Sequence, residues 1–190
     1  MNVSQQQTYT GIKSYRILMW LAMVSMFMIF AGYTSGYIVR MAEGNWTTFK
    51  LPQQFLYSTI VILVSSVFMQ AAVFAAKANK YQTIKSTLLI TLLLGLVFVL
   101  LQFLGWNDMV SRNLFFVAKN PATSFVYVIT GVHLLHLLGG IIYLMYVNYF
   151  ALRDRYNSNN YFAITQCATY WHFLGALWLH LYLFFVVTGS

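Results

Sequence analysis

Two of the chain's four histidines stand three residues apart in "TGVHLLHLLGG", Thr130 to Gly140, inside a long apolar run. At 100° per helical residue, His133 and His136 lie about 60° apart on one helix face. The other two, His172 and His180, are about 80° apart on the next apolar run. Facing imidazoles on adjacent helices are able to ligate haem or a metal. A neutral imidazole can equally donate to a carbonyl on one helix and accept from a hydroxyl on another. The second use needs no cofactor, and it is the leading reading for His133, His136 and His172, with a lipid head group as a further partner.

Little else offers chemistry. The three acidic residues, Glu43, Asp108 and Asp154, lie in or beside the connections between apolar runs. With no carboxylate at mid-membrane, a carboxylate proton relay or a cation transporter is disfavoured, and so is intramembrane acid–base catalysis. The sequence contains no HExxH, no Ser/His/Asp arrangement and no Gly-rich phosphate loop. The single cysteine, Cys167, excludes an internal disulfide and a Cys-based metal cluster.

The elements that must position these residues follow from composition. The chain is 60% hydrophobic, 18% aromatic and only 7% charged, whereas a soluble domain carries about 25% charged residues. This is the composition of a polytopic membrane protein. The formal charge of +8 comes from Lys and Arg in short loops, which set orientation and do not mark a nucleic-acid partner. A span needs about 20 apolar residues. Five segments qualify, near residues 17–39, 55–76, 86–106, 125–150 and 164–188, giving an all-α bundle in a single transmembrane domain over residues 1–190. No cleavable signal peptide is expected, because the first apolar run follows a polar tail and is long enough to span. Pro52 and Pro121 stand just before the second and fourth spans, where a missing N–H is harmless.

The basic residues predict an orientation. With the N-terminus inside, Lys13, Arg16, Lys77, Lys80, Lys85, Arg153 and Arg155 are inner, against Arg40, Lys50, Arg112 and Lys119 outside. The excess favours N-in and C-out. The triplet "NWT" from Asn45 fits a glycosylation acceptor but carries no weight alone. Small residues point to close helix contacts: Gly32 and Gly36 on the first span, Ala71, Ala72, Ala75 and Ala76 on the second, Gly131, Gly139 and Gly140 on the fourth. Trp20, Trp106, Trp171 and Trp178 include expected interface anchors.

Two motifs carry a family resemblance. "TGVHLLHLLGG" resembles the Thr-Gly-x-His-x-x-His-x-x-x-Gly of the penultimate helix in subunit III of the haem–copper oxidases. "YWHFLGALWLHLYLF", from Tyr170, resembles the Tyr-Trp-His-Phe-x-x-x-x-Trp opening of that family's last helix. "LLQF", containing Gln102, resembles its Leu-Gln step. The likeness runs through all five spans in order, and it implies the five-helix form of a fold that often has seven. It also implies a non-catalytic subunit of an aa3-type cytochrome c oxidase in a bacterial inner membrane. That subunit has no cofactor of its own. Haem and copper belong to its partners, catalytic subunit I and copper-bearing subunit II, and phospholipids and a larger respiratory supercomplex are further associates. On this resemblance His133, His136, His172, Trp171, Gln102, Gly131 and Gly139 are helix-packing or lipid-contact residues. Three carboxylates frequent in the family are replaced, by Met26, Gly105 and Gly175, so no role of those acids transfers here. Three alternatives stay open: subunit III of a quinol oxidase, a four-His haem-binding membrane cytochrome, and a small transporter.

Overall fold

In the computed structural model the described residues are 3–44, 46, 49–116, 121–158 and 160–189, with side chains described from residue 14 onward. Lys119, and Asn45 and Thr47 of the glycosylation triplet, lie outside them, as does the side chain of Lys13. The described residues form five helices: α1 (Val3–Ala42), α2 (Gln53–Lys77), α3 (Tyr81–Ser111), α4 (Pro121–Leu152) and α5 (Phe162–Thr188). Each is long and apolar enough to cross a bilayer. The chain is a multi-pass membrane protein, and every expected span lies within one helix. The helices exceed those spans because a helix does not stop at the hydrocarbon edge. At 1.5 Å per residue, the 31 residues of α3 reach about 46 Å through a core of about 30 Å.

Three helix ends share one device. Asn79, Asn113 and Asp154, each two residues beyond the last helical residue, adopt positive φ of 55°, 60° and 54°. The N–H of the following residue then reaches back five positions: Lys80 to the carbonyl of Ala75, Leu114 to Met109, Arg155 to Phe150. Asn79, Asn113 and Asp154 themselves donate to Ala76, Val110 and Ala151. This is the paired bonding of a Schellman cap, with Asn or Asp in place of glycine. Both residues tolerate the left-handed region better than other side chains.

The helices α2 to α5 close a ring. α2 contacts α3 and α5, and α4 contacts α3 and α5, while α1 packs only on α4 and α5, outside the ring. The centre is filled by Trp171 and Trp178 of α5, both fully buried. Trp171 lies against Gly95 of α3, where a Cβ would come within 2.8 Å of its ring. Trp178 meets Phe98 of α3 edge-on, ring centres 5.2 Å apart. Both tryptophans are therefore core residues, not the interface anchors that the sequence allowed for. α1 is the exception to burial: 11% of its most apolar window is buried, against 33–44% for the other helices.

Candidate functional site: a polar ladder inside the bundle

Polar side chains link the ring at several depths. On α2, Ser58 and Ser65 donate to the carbonyls of Phe55 and Ile62, and Thr59 donates to Phe55. With its proton committed to its own helix, each hydroxyl oxygen is left to accept. Gln102 Nε2 of α3 donates to Ser58 at 2.8 Å. Trp178 and Trp171 Nε1 of α5 donate to Thr59 and Ser65, both at 3.0 Å. Further along α2, His172 Nε2 of α5 donates to Gln70 Oε1 at 3.1 Å. On the α3–α4 side, Trp106 Nε1 donates to Thr130 Oγ1 at 3.0 Å, and Asn148 Nδ2 to the Leu88 carbonyl at 3.2 Å. Pairing of this kind keeps polar atoms satisfied where no water is present.

The two histidines of "TGVHLLHLLGG" part company. His136 is partly exposed. Its Nδ1 donates to the Val132 carbonyl of its own helix at 2.8 Å, while Tyr170 of α5 donates to the His136 carbonyl at 3.3 Å. His133 is fully buried, and neither of its ring nitrogens has a hydrogen-bond partner. The expectation of a hydrogen-bonded imidazole at His133, His136 and His172 fails at His133. What surrounds it is aromatic: Phe30 of α1 and Phe98 of α3, each with ring centres 6.1 Å away, and Trp178 of α5 at 5.1 Å. His133 is the point at which α1, α3, α4 and α5 meet. His136 and His172 do not share a layer as partners, because His172 links α5 to α2. Gln102 Oε1 and Trp46 Nε1 are further buried atoms without a partner. Among the described residues no three His, Cys, Asp or Glu side chains gather as a metal-binding group.

The glycines divide in the same way. A Cβ on Gly140 would lie 2.9 Å from Leu174 and 3.2 Å from Tyr170 of α5, so Gly140 makes the close α4–α5 approach. A Cβ on Gly131 or Gly139 would meet nothing within 4 Å. These two do not thin a contact inside the chain. At two of the three positions where the resembling family often has an acid, the space is taken: a Cβ on Gly105 would lie 3.2 Å from Phe55, and one on Gly175 3.3 Å from Ser66 Oγ. Met26 accepts a long contact from the Tyr170 hydroxyl at 4.0 Å. Ser58, Thr59 and Ser65 were not anticipated. Their signal was present, since Ser58 and Ser65 are seven apart and so share a helix face.

The family profile described as "Cytochrome c oxidase subunit III" matches residues 2–190. The chain belongs to that family. It is 30% identical over 171 residues to a probable cytochrome c oxidase subunit 3 of Mycobacterium tuberculosis (strain H37Rv), covering 87% of this chain and 82% of the relative. It is also 30% identical over 135 residues to cytochrome c oxidase subunit 3 of Spodoptera frugiperda, covering 71% and 87%. Against the Loxodonta africana subunit 3 it is 33% identical over 135 residues, 71% of this chain but 50% of the relative. The polar ladder thus lies inside an oxidase subunit III, and the motif residues Trp171, His172 and Gln102 are among its rungs.

Proposed function

We propose that this chain is the non-catalytic subunit III of an aa3-type cytochrome c oxidase in a bacterial inner membrane. It packs against catalytic subunit I, binds phospholipid and protects the enzyme during turnover, while haem and copper reside in subunit I and in copper-bearing subunit II. The observation that carries this reading is the match to the subunit III family along residues 2–190. The use of the buried polar groups supports it, since they are engaged in holding helices together. In this reading His136, partly exposed, and Gly131 and Gly139, with open space beside them, meet lipid or the neighbouring subunit.

The same reading puts the N-terminus inside. At the proposed outer end, Arg40 pairs with Glu43 and Arg112 with Asp108. At the inner end, among the described residues, Lys85 pairs with Asp154 at 3.0 Å. Arg16, Lys77, Lys80, Arg153 and Arg155 stand at the same end, and the excess of Lys and Arg there favours the cytoplasmic side. Mass spectrometry of what co-purifies in mild detergent tests the function. A haem-bearing catalytic subunit and a copper-bearing subunit are expected. A complex lacking the copper-bearing subunit would indicate a quinol oxidase, and a Soret band on the separated chain would overturn the cofactor-free assignment.

A further inference from the structure

Where α1 leans on α5 it leaves a groove open to the lipid. One cavity of about 280 Å³ is lined by Phe27, Phe30, Thr34, Ser35, Leu177 and His180 among others. A second, of about 260 Å³, shares Phe27, Leu177 and His180 and adds Phe173 and Ala176. His180 therefore stands between two halves of one largely apolar trough. It is exposed, and neither it nor Ser35 makes a hydrogen bond among the described residues. His172 and His136 both have partners, so His180 is the exposed imidazole with an unused donor and acceptor.

Depth selects the ligand. The 27 residues of α5 measure about 40 Å, so with a core of about 30 Å roughly 5 Å of helix extends past the hydrocarbon at each end. His180 is eight residues before Thr188, which places it about 7 Å inside the hydrocarbon. The head group and ester groups of a phospholipid lie above that level, and an acyl chain offers no hydrogen bond. A transmembrane helix, about 10 Å across, is too wide to enter cavities of this size. The remaining membrane component is one that carries a hydrogen-bonding ring on an apolar tail. We propose that the trough between α1 and α5 binds an isoprenoid quinone. The ring carbonyl accepts from the His180 imidazole, the ring lies among Phe27, Phe173 and Leu177, and the tail runs along α1. This is binding only, with no electron transfer assigned. It rests on the membrane span and the trough geometry, not on which donor feeds the oxidase.

The test uses the intact complex in nanodiscs free of endogenous quinone, labelled with a photoreactive azido-benzoquinone bearing a short prenyl tail. Cross-linked peptides covering residues 27–38 and 173–180 are expected. Labelling should drop about fivefold in His180→Leu, the loss of one hydrogen bond, recover in His180→Gln, and fall again in Ala176→Phe, which fills the trough without touching the imidazole. Equal labelling in His180→Leu would overturn the proposal. So would labelling undiminished by excess unlabelled prenyl benzoquinone, or a His180→Cys variant that cross-links to a partner-subunit peptide. If no complex forms with this chain, the subunit reading fails, and the same labelling on the full chain in nanodiscs still decides the trough.

Discussion

The ring of α2–α5 and the outlying α1 sit in the same bilayer but are held by different forces. The ring is joined by donated protons: Gln102 to Ser58, Trp178 to Thr59, Trp171 to Ser65, Trp106 to Thr130. α1 is joined by aromatic side chains on one stripe. Phe30 meets His133 and His136 edge-on. Tyr37 meets Phe125, Phe184 and Phe185, and the polar contacts are long: 3.5 Å from the Thr188 hydroxyl to the Tyr37 hydroxyl and 4.0 Å from the Tyr170 hydroxyl to Met26 Sδ. Lipid tails are as apolar as these side chains, so such packing gains little beyond shape. The lesson is that hydrophobicity carries a helix into the membrane without saying how firmly it is held to its neighbours. α1 is equally apolar and much less firmly attached.

The contrast breaks first at its centre. Trp171→Ala removes a fully buried ring from Gly95 and a donor from Ser65. A loss of about 3 kcal/mol is expected, read as a large drop in the thermal or SDS unfolding midpoint of the chain in mild detergent. Loss of α1 alone, with the ring intact, would mean that the tryptophan is not the hub. Phe30→Ala should do the reverse. It opens α1 from His133 and His136 while leaving the ring's midpoint within about 1 kcal/mol of the parent. Engineered disulfide cross-linking between α1 and α4 would report the separation. A smaller step is Ser65→Ala, which leaves the Trp171 N–H without its acceptor. Single hydrogen bonds between membrane helices average about 0.6 kcal/mol, so a shift of that size is expected, and Ser65→Thr should recover it. The smallest effect is at the open glycines. Gly131→Ala and Gly139→Ala should leave the chain's unfolding unchanged or raise it by up to about 1 kcal/mol through helix propensity. Reduced recovery of the oxidase complex with unchanged unfolding would mark those positions as partner or lipid contacts.

The spans were legible because a stretch of about 20 apolar residues has few alternatives in water or lipid. The helix stops were legible too, in principle. Asn79, Asn113 and Asp154 each stand just past an apolar run, and a polar residue that tolerates positive φ is a stop signal. α1 begins at Val3, well before the expected span near Ile17, because polar residues outside the hydrocarbon can stay helical without contributing to the apolar pattern. The site was half legible. Gln102, Trp171 and His172 make bonds between helices. For His133 the residue type suggested a hydrogen bond, but the cage of Phe30, Phe98 and Trp178 is assembled from three other helices and leaves no periodic trace along α4. The acceptors on α2 were overlooked because serine and threonine are unremarkable in membrane helices until a donor faces them.

The placement of α1 outside the seam of α4 and α5 has a consequence for how the molecule is made. Chains emerge from the ribosome N-terminal end first, so α1 enters the bilayer before any helix it touches exists. α2 and α3, joined by the three-residue turn 78–80, can pair as soon as both are released. The ring closes only when α5 arrives and contacts α2. α1 must therefore remain in lipid as an unaccompanied helix through most of synthesis, tethered by residues 43–52, and dock last although it was born first. Truncating the nascent chain before residue 121 should leave α2 and α3 paired and α1 free to diffuse away from them.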